Sequence, residues 1–338
     1  LIGNGSQMIS KKALGQFYTT NYEYILEGFS IPPNSKVVEP FVGQGDLLKW
    51  IGPDHSVEVY DIDPKIDAIT RDTLVDPPDY KGKFVITNPP YLAKNKNKDK
   101  TIYNKYVVDD LYKGFLKSLV EGSVEGGIVI VPLNFISDRD RKIRNTFFQD
   151  YHITKIKIFE ETVFRDTSYT VCAFQFAKGK QTGTFPATIL PSGKEIDLLL
   201  EEKWGWRVGG HLHEKKTSKY KIGRLLSGGV PSSDLFLYAI DTGTNGGRIR
   251  LDIRKQHWYG NHTDRAFATI TTNVPIEDEQ LVVEMFNKQL ESRRNQYHSL
   301  FLTNYRNSTK SYARKRISFD MCYNMIKDIL KEITNVSD

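Results

Sequence analysis

The sequence predicts an α/β fold, a doubly wound and mostly parallel sheet with an antiparallel edge strand, followed by a C-terminal domain of mixed α+β structure. Three observations predict it. From Lys36 to about Phe176, short apolar runs alternate with stretches of helical spacing, which is the pattern of strands joined by crossover helices and covered on both faces. After Phe176 the texture changes to Gly, Ser, Thr and aromatic residues, as in Ser192-Gly193, Gly209-Gly210, Gly228-Gly229 and Gly246-Gly247. The chain has 338 residues, 39% hydrophobic and 26% charged, ordinary globular proportions with room for about two domains of ~150 residues each. Disordered and fibrous classes are excluded. The expected boundary lies near Lys178 to Thr184, giving domains over 8–178 and 179–338.

The elements follow in order. Residues 1–7 have the small polar look of an appended segment, and the native start is expected at Met8. Val37-Val38, Val57 to Tyr60, Phe84 to Ile86, Gly127 to Val131, Ile153 to Phe159 and Val171 to Phe176 read as strands. Leu47 to Ile51, Pro64 to Ile69 and Asp109 to Leu119 have helical spacing. The last two strands are separated only by a loop, so the sheet is expected to end in a hairpin-like antiparallel edge. In the second half, Gln280 to His298 and Phe319 to Ile333 read as amphipathic helices, the first with Val282, Met285, Phe286 and Leu290 on one face.

Composition narrows the function classes. No run approaches the ~18 to 20 apolar residues of a membrane span, and no charged-then-apolar leader opens the chain, so a cytoplasmic protein without membrane attachment is expected. Cys172 and Cys322 can build neither a disulfide framework nor a four-cysteine zinc site. His211, His213, His257 and His262 lack a metal-ligand spacing, and no metal is expected. Residues 1–176 carry 22 Lys and Arg against 23 Asp and Glu, whereas residues 177–338 carry 25 against 18. The basic excess sits in the second half and suggests a polyanion partner for it.

Chemistry concentrates at three strand ends. Val37-Val38-Glu39-Pro40-Phe41-Val42-Gly43-Gln44-Gly45 runs from a strand into a glycine turn, where open α/β sheets bind ligands. The dinucleotide fingerprint fails because Leu48 stands where its third glycine or alanine belongs, and the glycines could serve only a tight turn. Asp61 ends the second strand, where a carboxylate can accept both ribose hydroxyls of a nucleoside; Asp63 fits better as the cap of a helix beginning at Pro64. The third strand ends in Asn88-Pro89-Pro90-Tyr91. Two prolines fix the backbone and remove two amide donors, while Asn88 supplies a side-chain acceptor and Tyr91 a flat ring. That set suits a planar amine, which donates two hydrogen bonds while its ring stacks.

These motifs resemble, in order, those of the S-adenosylmethionine-dependent N6-adenine DNA methyltransferases, in the gamma arrangement of type II restriction-modification systems. Glu39-Pro-Phe-Val-Gly-Gln-Gly, Asp61-Ile-Asp-Pro, Arg71-Asp72-Thr73 and Asn88-Pro-Pro-Tyr91 carry the resemblance. Gly15-Gln16-Phe17-Tyr18-Thr19 looks like that family's N-terminal cofactor segment, and Gly127 to Asn134 like its next core strand. The resemblance covers Gly15 to Phe176, about half the chain. It implies a Rossmann-like S-adenosylmethionine-binding catalytic domain over 8–178 and a DNA target-recognition domain over 179–338.

It also implies roles. Gln16, Phe17, Tyr18 and Thr19 would close over the methionine end of S-adenosylmethionine, and Glu39 with the Gly43 to Gly45 turn would hold its amino-acid part. Asp61 would take the ribose and Asp72 the adenine amino group, with Pro40, Ile62, Thr73 and Asn88 also counted as cofactor-binding. Asn88, Pro89 and Tyr91 would hold a flipped target adenine against a second aromatic, Tyr169 or alternatively Phe164. Lys94, Lys96 and Lys98 follow the turn and could meet phosphate or simply form a solvated loop. Arg306, Lys310, Arg314, Lys315 and Arg316 form a cluster of cations interleaved with Asn307, Ser308 and Tyr312 that suits DNA contact. Double-stranded DNA is thus the expected partner, beside an endonuclease of the same specificity, with the chain acting as a monomer. RNA adenine and protein glutamine methyltransferases, which use similar turns, are the alternatives. Cytosine C5 transfer is excluded, since neither cysteine follows a proline.

Overall fold

A computed structural model of the chain describes residues 15–165, 167, 169–241, 247–254, 266–307 and 313–336. The chain forms two compact units, residues 1–135 with 139–206 and residues 136–138 with 207–338.

The first unit is built on nine strands: β1 (Lys36–Glu39), β2 (Val57–Asp61), β3 (Ile69–Thr70), β4 (Lys83–Thr87), β5 (Gly126–Pro132), β6 (Tyr151–Phe159), β7 (Val171–Lys178), β8 (Thr184–Leu190) and β9 (Lys194–Leu199). Their order is β3-β2-β1-β4-β5-β7-β6-β8-β9. β3 through β5 are parallel, and β7 runs antiparallel between β5 and β6. β5 is buried along its whole length, as a central strand covered on both faces must be. The chain turns back across β1 between β2 and β4, so the C-terminal ends of β1 and β4 flank the switch point of the sheet, where such folds hold ligands.

Among the described residues five helices lie wholly in this unit: α1 (Tyr22–Leu26), α2 (Asp46–Ile51), α3 (Thr101–Tyr106), α4 (Leu111–Glu121) and α5 (Lys142–Asp150). Phe135, Phe147, Phe148, Tyr151, Phe174 and Phe176 pack ring on ring between α5 and the antiparallel strands. Arg144, 1% exposed, donates to the carbonyls Gly205 O and Phe135 O at 2.9 Å each.

Three expectations are corrected. Residues 64–69 form no helix. The Asp61 carboxylate accepts from the Asp63 amide at 2.9 Å, and Ile69–Thr70 pair with Tyr60–Asp61 as β3, leaving too few residues to pay for helix nucleation. Asp63 accordingly caps nothing and pairs with Lys65. The sheet does end in an antiparallel edge strand, but that strand is β9, paired antiparallel with β8, and β7 is an inner strand because β8 and β9 extend the sheet beyond β6. The first unit therefore ends at Trp206, not near residues 178–184.

The second unit is mixed α+β, as expected. Its antiparallel sheet has the order β10-β13-β11-β12, from β10 (Ile222–Arg224), β11 (Leu235–Tyr238), β12 (Arg250–Ile253) and β13 (Phe267–Thr272). β14 (Thr303–Asn307) and β15 (Ala313–Arg316) pair as a hairpin. Leu235, Leu237 and Ile270 of this sheet pack in one core with Val282, Phe286 and Leu290 of α6 (Glu279–Tyr297) and Met321, Met325 and Ile329 of α7 (Phe319–Val336). Cys172 and Cys322 are both fully buried core residues.

Candidate active site

The two prolines after β4 hold the backbone while three distant segments converge on it. The Asn88 amide nitrogen donates to Phe17 O at 2.9 Å and to Thr19 Oγ1 at 3.1 Å. The Phe17 carbonyl can only accept and so must face the NH2 end of the amide, which turns the carbonyl end, Oδ1, the other way. The N-terminal segment is itself docked on the turn: the Tyr91 amide donates to Gly15 O at 2.9 Å. Gly15 has φ +69°, and a Cβ there would lie 2.5 Å from Tyr91 O. Only glycine permits this approach.

Tyr91 is 2% exposed, with its hydroxyl at both Asn88 Oδ1 and Ile130 O. Its ring lies 5.4 Å from Phe17 and makes edge contacts with Tyr112 and Tyr169. Burial raises its pKa well above the usual phenol value, so it stays protonated. Of the two aromatics left open by the sequence, Tyr169 is brought to this cluster, touching Phe17 and Tyr91, whereas Phe164 is 3% exposed and, among the described residues, no ring contact joins it to the turn. The Lys96 ammonium lies 6.0 Å over the Tyr169 ring.

Beside the turn, Glu39 ends β1 fully buried. Its Oε1 accepts from the Phe41 amide at 3.0 Å and from the Thr87 hydroxyl, and Oε2 has no partner. Burial pushes this carboxyl up to about 8, against the lowering effect of those two donors. An unpaired buried carboxyl oxygen is costly, and one at a strand end that leads into a glycine turn is suited to a cationic ligand group. Gly43 and Gly45 both have positive φ, and Gly45 starts α2. The Tyr18 ring lies where a Cβ on Gly43 would meet it at 3.3 Å. Asp61, 5% exposed, accepts from the Gly43 amide at 2.8 Å as well as from Asp63, which ties the ends of β1 and β2 together. Each of its oxygens keeps a further lone pair.

Farther along, the Thr73 hydroxyl donates to Pro40 O at 3.0 Å, and Asp72 accepts from the Leu74 and Val75 amides. Ile62, beside Asp61, is 47% exposed, an apolar surface of the kind that packs on a flat ring. Gln16 is partly buried. Gln16, Phe17, Tyr18, Thr19, Glu39, Asp61, Asn88 and Tyr91 thus all lie within the first unit, at or near the C-terminal ends of β1, β2 and β4.

The lysine loop divides. Lys94 donates to Asn104 Oδ1 at 2.9 Å, and Lys100 donates to the carbonyls of Lys94 and Asn97 as an internal staple, while Lys96 and Lys98 are exposed. In the second unit Arg306 lies on β14, Arg314 and Arg316 on β15 are partly exposed, and Lys315 is 6% exposed. Burial turns Lys315 inward, as alternation along a strand requires, so it does not share the solvent-facing side expected of it. Lys310 lies outside the described residues.

Sequence reasoning missed Thr87, Asp110, Tyr112 and the Ile130 carbonyl. Asp110 precedes α4 and accepts from the Leu92 amide at 3.1 Å, which fixes the exit of the turn; burial of its carboxyl pushes it up to about 7. Its place just before an apolar helical run was the available signal. Among the described residues no group of His, Cys, Asp or Glu could hold a metal ion, and no helix is long and apolar enough to cross a membrane.

Residues 54–164, about a third of the chain, match the model of the Eco57I restriction-modification methylase family, which bears out the motif resemblance over that segment. Among solved structures, a modification subunit assigned to a type I restriction enzyme of Vibrio vulnificus YJ016 aligns at 15% identity and a TM-score of 0.42, over 53% of this chain and 48% of its own. The methyltransferase subunit of a type I restriction-modification system from Streptococcus thermophilus aligns at 15% identity and 0.39, over 52% and 48%. A class I S-adenosylmethionine-dependent methyltransferase from Listeria monocytogenes aligns at 15% identity and 0.39, over 57% and 70%. The chain therefore spans about half the length of the two restriction-system subunits. No curated protein matches the sequence.

Proposed function

We propose that this chain transfers a methyl group from S-adenosylmethionine to N6 of adenine in a short duplex DNA sequence, as the modification enzyme of a restriction-modification system. The observation that carries this reading is the Asn88 amide, held by Phe17 O and Thr19 Oγ1 with its acceptor end fixed, in a proline-locked turn beside aromatic rings. The family match over residues 54–164 supports the class.

The residues at the switch point fit the cofactor. Glu39, with Oε2 buried and unpaired, would take the α-ammonium at the Gly43 to Gly45 turn. Asp61 would accept the ribose hydroxyls, Ile62 would pack on the adenine ring, and Asp72 would take its amino group. S-adenosylmethionine supplies an electrophilic methyl on a sulfonium, which departs as a neutral thioether. The protein's task is to make the target nitrogen nucleophilic, because its lone pair is delocalised into the adenine ring. Asn88 Oδ1 and the Pro89 carbonyl each accept one amino hydrogen, which favours a pyramidal nitrogen with its lone pair localised for in-line attack. The surplus proton leaves after the N–C bond has formed. Fixed acceptors and fixed position supply the acceleration.

The target atom is inaccessible inside a duplex, so the adenine is swung out and stacked against Tyr91 and Tyr169. The second unit, with 21 Lys and Arg against 15 Asp and Glu, carries the whole net charge of +6 and provides the backbone contact. Duplex DNA is the partner, with an endonuclease of the same specificity, and one copy of the chain suffices for one site.

Modification-aware long-read sequencing of DNA from a methylation-free host expressing the chain tests this. N6-methyladenine at one sequence motif is expected. Unmodified DNA from a host with well-expressed, cofactor-binding protein would overturn the reading and direct labelled-methyl assays to RNA and protein.

A further inference from the structure

The Tyr91 hydroxyl has one proton and two acceptors within reach. It can donate to Asn88 Oδ1 or to Ile130 O at 2.8 Å, but not fully to both. Ile130 lies one residue past the last rung joining β4 to β5, at Thr87 and Val129. Its carbonyl is therefore near the place where the turn leaves the sheet. The other end of the Asn88 amide is occupied by Phe17 O and Thr19 Oγ1, so Oδ1 cannot find a donor by flipping. With Tyr91 2% exposed and Asn88 half-buried, the hydroxyl is a built-in partner for the acceptor end of the amide.

We propose that the Tyr91 hydroxyl is an exchangeable donor that holds Asn88 Oδ1 satisfied until the substrate amine arrives, then passes its hydrogen bond to the Ile130 carbonyl. The inference rests on the adenine reading above and gives Tyr91 a role besides stacking, as a specificity-determining residue. An incoming base that brings an N–H takes over Oδ1, and the hydroxyl loses nothing because Ile130 O is already in place. A base without an amino group leaves the hydroxyl where it is. The enzyme therefore tolerates empty or wrong occupancy without an orphaned acceptor, and this softens its discrimination at the binding step.

Removing the hydroxyl while keeping the ring, with Tyr91→Phe, should sharpen that discrimination. The probes are a duplex carrying the adenine at the motif found by methylation mapping and the same duplex with purine, which lacks the amino group, at that position. The ratio of the two dissociation constants is expected to rise about tenfold in Tyr91→Phe relative to the wild type, since purine then leaves Oδ1 unpaired. A purely structural hydroxyl would weaken both duplexes equally, and an unchanged ratio overturns the proposal. The wild type provides a second measurement that needs no variant to fold. With 13C-carbonyl isoleucine, the Ile130 resonance should shift when the adenine duplex binds and stay in place with the purine duplex. Identical responses to both duplexes overturn the exchange. A wild-type chain that methylates no adenine in either assay overturns the adenine reading itself, and the exchange with it.

Discussion

Asn88 and Glu39 place opposite demands on their surroundings, and each yields a test. On the proposed function Asn88 supplies a fixed, available acceptor. Asn88→Ala removes it and should lower methyl transfer at least about a hundredfold while leaving S-adenosylmethionine affinity near that of the wild type; Asp61→Ala should do the reverse. Titration calorimetry with the cofactor beside a single-turnover assay separates the two, and wild-type turnover in Asn88→Ala would sink the assigned role. Glu39 is buried with one oxygen unpaired, and its carboxyl is raised from 4.5 to about 8. The folded state therefore holds this proton more tightly than the unfolded chain does. Its contribution is fully present below about pH 4.5 and is lost as pH rises to about 8, so the cofactor-free protein should lose stability over that range. Asp110, raised to about 7, acts in the same direction. Denaturant unfolding from pH 5 to pH 9 should show the decline, and Glu39→Gln should flatten it without removing the share due to Asp110. Both motif residues were legible in the sequence because their chemistry is local to a strand end. The partners of the Tyr91 hydroxyl were not, since Ile130 lies 39 residues away and only the sheet brings it close.

At the scale of elements, the site depends on a strap that has little secondary structure of its own. Residues 15–30 hold α1 and reach the Asn88 turn, and they are tied down by β6 and β7. Lys157 donates to Tyr24 O at 2.8 Å and to Glu27 O at 3.1 Å, Lys155 donates to Gly28 O at 2.8 Å, and Gln175 donates to Ser30 O at 3.1 Å. These bonds satisfy carbonyls at the C-terminal end of a helix too short to satisfy its own. The far end of the strap has a single tight point, Gly15 against Tyr91. Gly15→Ala combines a left-handed backbone with a Cβ 2.5 Å from a carbonyl oxygen. It should cost about 2 kcal/mol and lift Phe17 and Thr19 away from Asn88. A fall in transfer larger than the loss of folded protein, measured by thermal melting, is expected; equal falls would mean that the strap does not position the amide. The resemblance implied a cofactor motif in this segment, and nothing in the sequence marked it as a strap, because its anchors come from strands more than a hundred residues later. The same blindness hid β8 and β9. Phe185, Ala187 and Ile189 alternate with Thr184, Pro186 and Thr188 in a half-buried strand, but Pro and Thr gave it the texture of a loop, and only pairing with Ile156 to Phe159 reveals it. Residues 64–69 erred the other way: helical spacing in so short a segment is outweighed by strand pairing and a local carboxylate turn.

For the whole molecule the division of charge carries the argument. With the boundary at Trp206, the first unit has 26 Lys and Arg against 26 Asp and Glu, and the second carries all of the net +6. On the proposed function a neutral unit would perform the chemistry and a basic one would hold the polyanion, and the two would differ in their response to salt. Binding through phosphates releases counterions, so affinity for duplex DNA should fall linearly in log–log form, with a slope of about −0.9 per phosphate neutralised. Arg314 and Arg316 on β15 are partly exposed, whereas Lys315 between them is buried. Arg314→Ala with Arg316→Ala should therefore weaken binding and reduce the slope by roughly two. Lys315→Ala should leave the slope unchanged while lowering stability, because what it removes is a packed side chain. Fluorescence anisotropy on a labelled duplex between low and moderate salt checks all three variants. A slope untouched by the paired arginine substitution would remove β15 from the interface and leave the other cations of the second unit to account for binding. A slope reduced by Lys315→Ala would show that the buried lysine turns outward when DNA arrives.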